Sequence, residues 1–240
     1  MTKFVAQAES VRGRELTHRN GEFFRIVADQ WIIVALIGHL EELGSAAVVD
    51  PLRKGVKEVL RSYELGHATS AEGALRDFGA ALAAGDRAGA HFLASLPKES
   101  WGFPASPPDR VPSWIARSAF AIFRGDEQDS ATFLDLLQGL VFDIPLARPV
   151  ASRKPEFEAT FGILDALVKK DGKAFDQQMT IRQTIRADGL RRRVGHAPLE
   201  LVDLPGLGFC RIALDRGMSV QSRSVYLPVD LLHLPPPAAS

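Results

Sequence analysis

Three similar turns divide the chain into helical hairpins. The segments ALAAGDRAGAHFL, AIFRGDEQDSATFL and ALVKKDGKAFDQQM surround Asp86, Asp126 and Asp171, which lie 40 and 45 residues apart. Apolar residues at helical spacing flank each turn. In such a turn the aspartate can cap the start of the following helix, while glycine takes the left-handed conformation that ends the preceding helix. The pattern predicts an all-α fold of stacked antiparallel helical hairpins, similar to helical-repeat proteins.

Cap signals predict further helices outside these turns. The apolar spacing of residues 21–43 predicts a central helix that stops at Gly44, and Asp50-Pro51 predicts the cap and first position of the next helix. Thr69-Ser-Ala-Glu72 has the spacing of a capping box. Asp203-Leu-Pro205 predicts a last helix, which ends at Gly217. Helices therefore account for most of the chain.

The remaining segments set the expected domain boundaries. Residues 1–234 are expected to form a single α-helical domain, and the proline-rich stretch 97–111 is the one place where it could divide into two helical halves. Residues 219–226 favour a short extended segment near the C-terminus. Residues 235–240, rich in proline and alanine, are expected to form a flexible tail.

Charge and cysteine content exclude several classes of protein. Lysine plus arginine equals aspartate plus glutamate, 29 each, so the chain has no net charge with which to attract nucleic acid or an anionic membrane surface. Cys210 is the only cysteine, which suits a reducing cytoplasm. The apolar run 31–38 is too short to span a membrane, and the N-terminus lacks the apolar centre of a secretory signal. We expect a cytoplasmic protein that binds neither nucleic acid nor membrane.

Motifs that could carry catalysis or hold a cofactor are weak. His39-Leu-Glu41 matches the start of a zinc-deaminase signature, but that site needs two further cysteines. The histidines, at positions 18, 39, 67, 91, 196 and 233, never lie four residues apart as two zinc ligands on one helix would. Gly206-Leu-Gly208 favours close helix packing, and Cys210 shares a helical face with Leu207 and Leu214. We therefore predict no enzyme, no cofactor and no metal.

Two charged clusters are candidate contact sites. Arg182, Arg186 and Arg191-Arg-Arg193 could contact phosphate or an acidic protein, although a solvated helix face is favoured. Asp126, Glu127 and Asp129 form the acidic turn, which could meet a basic partner surface or could simply suit the dipole of the helix that it starts. The acidic turn is our candidate partner-binding site.

The end of the chain resembles a known family. The stretch DLPGLGFCRIALDRGMSVQSRSVYLPVDLL, from Asp203 to Leu232, is similar to the end of the Immunity protein 49 family found beside bacterial polymorphic toxins. The shared features are a helix rich in small residues that ends in Asp215-Arg-Gly217, an extended run into Tyr226-Leu-Pro228, and a final Leu-Leu. The resemblance covers roughly the last third of the chain. It implies a mostly helical cytoplasmic protein that binds and neutralises a cognate toxin, and it identifies no contact residue.

Three functions remain as hypotheses. The first is an immunity protein that occludes a toxin through a protein interface. The second is a helical-repeat adaptor that binds peptides or another protein in a concave groove. The third is a helical enzyme whose site is assembled from residues far apart in the sequence. The identity of the toxin, the interface residues and the oligomeric state are open from the sequence.

Overall fold

The structure is a computed structural model that describes residues 21–97, 100, 110–143, 146, 151–192 and 198–233. It is all-α, as the sequence predicts, and the described residues form no strand. The α-helices are α1 (Gly21–Leu40), α2 (Ser45–Glu64), α3 (Ala71–Ala83), α4 (Arg87–Ala94), α5 (Val111–Arg124), α6 (Glu127–Gln138), α7 (Lys154–Lys169), α8 (Gly172–Arg191) and α9 (Leu204–Asp215). A π-helical turn, Gly139–Asp143, continues α6, and 3-10 turns form at Pro198–Glu200 and Val229–His233.

Helices α1 to α8 form four consecutive antiparallel hairpins. The three predicted turns join α3 to α4, α5 to α6, and α7 to α8, and in each one the aspartate caps the second helix. The carboxylate oxygens of Asp86, Asp126 and Asp171 accept backbone N–H groups at 2.8, 3.0 and 3.0 Å. Each hairpin packs against the next along the chain. The predicted stack of hairpins is confirmed.

The residue that ends the first helix of a hairpin is not always glycine. Gly85 and Gly125 have φ angles of 76° and 75°, as predicted for the first two turns. In the third turn Lys170 takes this conformation, with φ at 56°, and Gly172 begins the following helix. The prediction of glycine at that position is therefore wrong, since Gly172 lies beyond the aspartate in the sequence.

The central helix is α3 and not α1. Helix α3 packs against α2, α4, α5 and α9, whereas α1 packs mainly along α2. A Cβ atom at Gly79 would lie 2.0 Å from the carbonyl oxygen of Leu204, and one at Gly208 would lie 3.1 Å from the Cα of Gly79. Glycine in both helices therefore lets α3 and α9 approach closely, which confirms the prediction for Gly206-Leu-Gly208. Helix α9 also contacts α5 and α7, the first helices of the next two hairpins.

Two predicted helix starts are wrong. Helix α2 begins at Ser45, so Pro51 lies inside it and not at its first position. Because Pro51 has no N–H, it cannot donate the helical hydrogen bond to the carbonyl oxygen of Ala47. This oxygen instead faces Gly38 of α1, and a Cβ atom at Gly38 would lie 2.8 Å from it. The cap of α3 is Ser70 and not Thr69, with the Ser70 hydroxyl 3.1 Å from the N–H of Gly73.

Helix α1 ends before the predicted stop. Its last residue is Leu40, and the left-handed residue that follows is Glu42, with φ at 54°. Gly44 also has a positive φ of 82°, but it lies directly before α2. Ile26, one of the apolar residues of this helix, is 49% exposed because α1 is covered mainly on one side by α2.

By length and composition, α1 could cross a membrane, and it is the only such helix among the described residues. In the structure 56% of its apolar stretch is buried inside the protein. Ala28 and Ile32 join the main core, and Arg25 is buried against α3. These contacts are typical of a core helix. That the protein does not enter a membrane stays a prediction.

The segment after α9 begins against α8 and ends in the Val229–His233 turn, which packs on α9 and α3. It forms one isolated β-bridge, Ser224 to Leu227, rather than a strand. The carboxylate of Asp176 in α8 accepts the N–H groups of Gln221 and Ser222 at 2.9 and 3.1 Å. Leu227, Pro228 and Val229 are buried. The proposed division near 97–111 falls almost entirely outside the described residues, as does the predicted tail at 235–240.

Candidate functional site: an arginine-lined cleft

A cleft of about 690 Å³ opens where several helices begin. The first turns of α3, α5, α7 and α9 line it, together with the C-terminal half of α8 and the Pro198–Glu200 turn. Leu75, Ile115 and Phe157 form part of its apolar surface. The charged residues of the lining are Arg76, Arg153, Arg182, Arg186, Glu72, Glu156 and Glu200.

A buried ion pair between α8 and α9 supports the cleft. The guanidinium of Arg182 donates from Nε to Oδ2 of Asp203 at 2.9 Å and from Nη2 to Oδ1 at 3.0 Å. Its Nη1 donates to Thr160 of α7 at 2.7 Å and lies 3.3 Å from Glu156. Gln183 donates a further hydrogen bond to Asp203 at 2.8 Å. The cation is therefore held by three side chains from two segments, Asp203 before α9 and Thr160 and Glu156 of α7.

The charge state of Asp203 follows from these contacts. Its carboxyl is completely buried, and burial by itself would raise its pKa. The charges of Arg182 and Arg186, with the hydrogen bonds from Arg182 and from the N–H of Gly206, instead hold the pKa of Asp203 well below its usual range. Burial lowers the pKa of Arg182, but Asp203 more than compensates and raises it. Both groups stay charged near neutral pH.

The rim of the cleft is more exposed. Arg153, directly before α7, pairs through Nη1 with Glu72 at the start of α3, and its Nε lies 3.5 Å from Glu156. The side chains of Arg153 and Glu72 are 43% and 50% exposed. Arg186 donates to the carbonyl of Glu200 at 2.7 Å. Solvent and a partner can reach this part of the lining.

A second buried network lies behind Arg76. Asp77 of α3 is fully buried, pairs with Arg25 of α1, and accepts a hydrogen bond from the hydroxyl of Tyr63 at 3.0 Å. Arg76 donates to Asp29 at 3.3 Å and thus joins the cleft to this network. Burial raises the pKa of Asp77, of Asp29 and of Tyr63. The network fixes α1 and α2 against α3.

The structure places the acidic turn away from this cleft. Asp126 is the cap of α6, Glu127 is exposed, and the carboxylate of Asp129 lies 4.0 Å from Arg124. Helix α5 joins the two places, since Pro112 lines the cleft and the turn follows Arg124. About 20 Å of helix separates them at 1.5 Å per residue. The cap is confirmed, whereas partner binding by Asp126, Glu127 and Asp129 stays a prediction.

The favoured interpretation of the basic cluster is wrong for Arg182. We expected a solvated helix face, but Arg182 is 6% exposed and lies in the buried pair. Arg186 lines the cleft, Arg191 and Arg192 are exposed, and Arg193 lies outside the described residues. The sequence could have predicted this ion pair from Asp203. The residue that caps a helix as apolar as α9 is expected to be buried, and a buried carboxylate needs a counter-ion.

Other residues that the sequence singled out have structural surroundings. Cys210 is buried in the core, where burial raises the pKa of its thiol, so the core interpretation is confirmed. The ring Nε2 of His39 lies 3.4 Å from the carbonyl of Val225. Among the described residues no group of three or more histidine, cysteine, aspartate or glutamate side chains could hold a metal ion. That the protein uses no cofactor stays a prediction.

Comparison with known proteins gives a match over most of the chain. The model of the family described as Immunity protein 49 matches residues 28–231. The chain belongs to the Immunity protein 49 family. No curated protein and no solved structure matches it. The resemblance that the sequence placed in roughly the last third therefore extends from within α1 to beyond α9, and the described lining of the cleft lies inside the matched region.

Proposed function

We propose that this protein is an immunity protein that binds a cognate bacterial toxin and neutralises it through a protein interface, without catalysing a reaction. The observation that carries the proposal is membership of the Immunity protein 49 family over residues 28–231. The protein would act in the cytoplasm of the cell that it protects, because a toxin that reaches this compartment must be met there.

The fold supports a rigid binding surface. One connected core extends from Ala28 in α1 to Leu232 at the end of the described chain. Buried ion pairs fix α1 to α3 and α8 to α9. A surface that is already ordered before binding loses less conformational entropy when the partner arrives. The helix starts around the cleft and the turns at the opposite ends of the hairpins are therefore suited to hold a partner without rearrangement.

The adaptor hypothesis is less well supported. An adaptor of stacked hairpins would bind its peptide on the face formed by one helix of each hairpin. Here α9 covers that face, since it packs against α3, α5 and α7. A peptide could reach that face only by displacing α9, which is mostly buried and carries the Asp203 ion pair.

The enzyme hypothesis receives no support from the cleft. The carboxylates of Glu72 and Glu156 pair with Arg153, and Asp203 pairs with Arg182. A general acid or base works best when its pKa lies near the working pH. The pKa of Asp203 lies far below neutral, so this carboxylate is a poor candidate for proton transfer.

We keep the acidic turn as a proposed contact. Many toxins that act on nucleic acid carry basic surfaces, and Glu127 and Asp129 offer carboxylates that such a surface could meet. Asp126 is less available, because its side chain already caps α6. The turn would thus act mainly on the rate of association through its exposed charges.

The direct test uses the toxin that we expect to be encoded beside the gene for this protein. An inactivated toxin domain and this protein are co-expressed, and the complex is sought by gel filtration and quantified by calorimetry. In parallel, the active toxin is induced in cells with and without this protein. We expect a stable complex and restored growth. Absence of both, with a folded immunity protein by circular dichroism, would contradict the proposed function.

A further inference from the structure

We infer that the arginine-lined cleft receives an acidic segment of the toxin, whose carboxylate takes the place of Glu72 on Arg153. This inference rests on the proposed function and names the chemistry of the partner at one site. It is separate from the acidic turn, although one interface can cover both. A standard interface buries about 800 Å² on each partner. Such a patch is wide enough to extend over the roughly 20 Å between the cleft and the turn.

Two arginines of the lining are incompletely hydrogen-bonded. Two buried polar atoms of lining residues make no hydrogen bond with any described residue, and both are donors: Nε of Arg76 and Nε of Arg186. Each faces a buried carboxylate beyond good hydrogen-bond geometry, at 3.5 Å from Asp77 and 3.9 Å from Asp203. Both atoms are buried against these carboxylates and are not offered to an occupant. The accessible cation of the lining is Arg153, and four arginines against three glutamates favour an occupant that brings a carboxylate.

The helices around the cleft add to its attraction for an anion. Four α-helices, α3, α5, α7 and α9, begin at the lining, and each start carries a partial positive charge. Ser70 and Asp203 cap α3 and α9. The residues at the cap positions of α5 and α7, Arg110 and Arg153, make no side-chain cap hydrogen bond. The partial positive charge at these two helix starts is therefore not offset by a capping carboxylate.

Glu72 is the competitor that the partner must displace. Its pair with Arg153 joins two half-exposed side chains, and pairs of this kind contribute little net stability. Arg182, in contrast, is held by a bidentate pair and stays in place. A carboxylate from the toxin can therefore replace Glu72 on Arg153 at small cost, while its neighbouring side chains fill the apolar part of the cleft near Phe157.

The test uses two variants that remove the same intramolecular pair from opposite sides. Glu72→Gln frees Arg153 for the partner, whereas Arg153→Gln removes the cation that the partner needs. We expect Arg153→Gln to weaken binding of the inactivated neighbouring toxin about three- to tenfold, mainly through a slower association rate. Glu72→Gln should bind the toxin faster and more tightly than wild type. Both differences should shrink in about 0.5 M salt.

Opposite changes in toxin binding by the two variants would distinguish a contact with the toxin from a structural role. If the Arg153–Glu72 pair were only structural, its loss would change toxin binding in the same direction in both variants. Arg153→Lys keeps the charge and should retain most of the association rate. Arg87→Gln removes an equal charge from the exposed pair with Asp215, at the far end of α9, and should change binding by less than about twofold. Circular dichroism of each variant checks the fold.

Several results would overturn the inference. Faster binding by Arg153→Gln with slower binding by Glu72→Gln would mean that the cleft receives a cationic group. No change in either variant would place the cleft outside the interface, and an equal effect of Arg87→Gln would show a general effect of net charge. In these cases the wild-type complex still forms and the proposed function stands. If wild type forms no complex, both the proposed function and this inference fail.

Discussion

The buried pair between Arg182 and Asp203 allows a direct test of how the fold is held together. Asp203→Asn keeps a side-chain oxygen that can cap α9 through the N–H of Gly206, now 3.1 Å away, but it removes the negative charge. Arg182 would then be a buried cation with only Glu156 nearby, at 3.3 Å. Breaking one side of a buried pair costs about 3 to 5 kcal/mol. Because Glu156 remains, we expect a loss of about 3 kcal/mol.

The matched control is Asp171→Asn, which changes the same residue type at the same cap position of α8. Asp171 is exposed, and its described contact is with the N–H of Ala174. Asparagine caps about as well as aspartate, so this change should cost less than about 0.5 kcal/mol. Urea unfolding followed by circular dichroism at pH 7 gives both free energies. A loss at Asp203 no larger than the loss at Asp171 would refute the argument.

The pH dependence supplies a second check. The pKa of Asp203 is lower in the folded protein than in the unfolded chain, where it is about 3.9. Its stabilising contribution is therefore complete above about pH 4 and is lost as the pH falls from there towards the lower folded pKa. The difference between wild type and Asp203→Asn should shrink in that range. A difference that grew on acidification would contradict the assigned charge state.

Three further predictions concern close packing, backbone strain and the interface. Gly79→Ala should cost about 2 kcal/mol or more in urea unfolding, because its Cβ would meet the Leu204 backbone; Gly189→Ala, with open space around it, should be neutral or stabilising. Lys170→Gly should raise the free energy of unfolding by up to about 1 kcal/mol, because Lys170 has a φ of 56°. Lys169→Gly, at the last residue of α7, should lower it by a similar amount. A change in the same direction for both variants would contradict the strain argument. Alanine at all three positions of the acidic turn should slow toxin association at low salt and cost about 1 kcal/mol of stability through the lost cap; an unchanged rate would leave the turn with only a structural role.

The sequence determined the features that depend on nearby residues. An aspartate directly before a helix caps it by accepting the N–H of the residue three positions later. The caps at Asp86, Asp126, Asp171 and Asp203 were therefore predictable. The hairpins followed because short turns between apolar helices leave few other arrangements. The family was also recognisable from local motifs near the C-terminus, although the match extends over residues 28–231.

Tertiary structure decided what depends on residues far apart. Pro51 suits a helix start, but the contact between Ala47 and Gly38 places it inside α2. Arg182 has the sequence context of a surface residue, and only its approach to Asp203, 21 positions away, buries it. The cleft combines residues from six segments, and no motif in any of them predicts that the six meet. The physical reason is that caps and turns satisfy hydrogen bonds locally, whereas burial and charge compensation are set by whichever helices pack together.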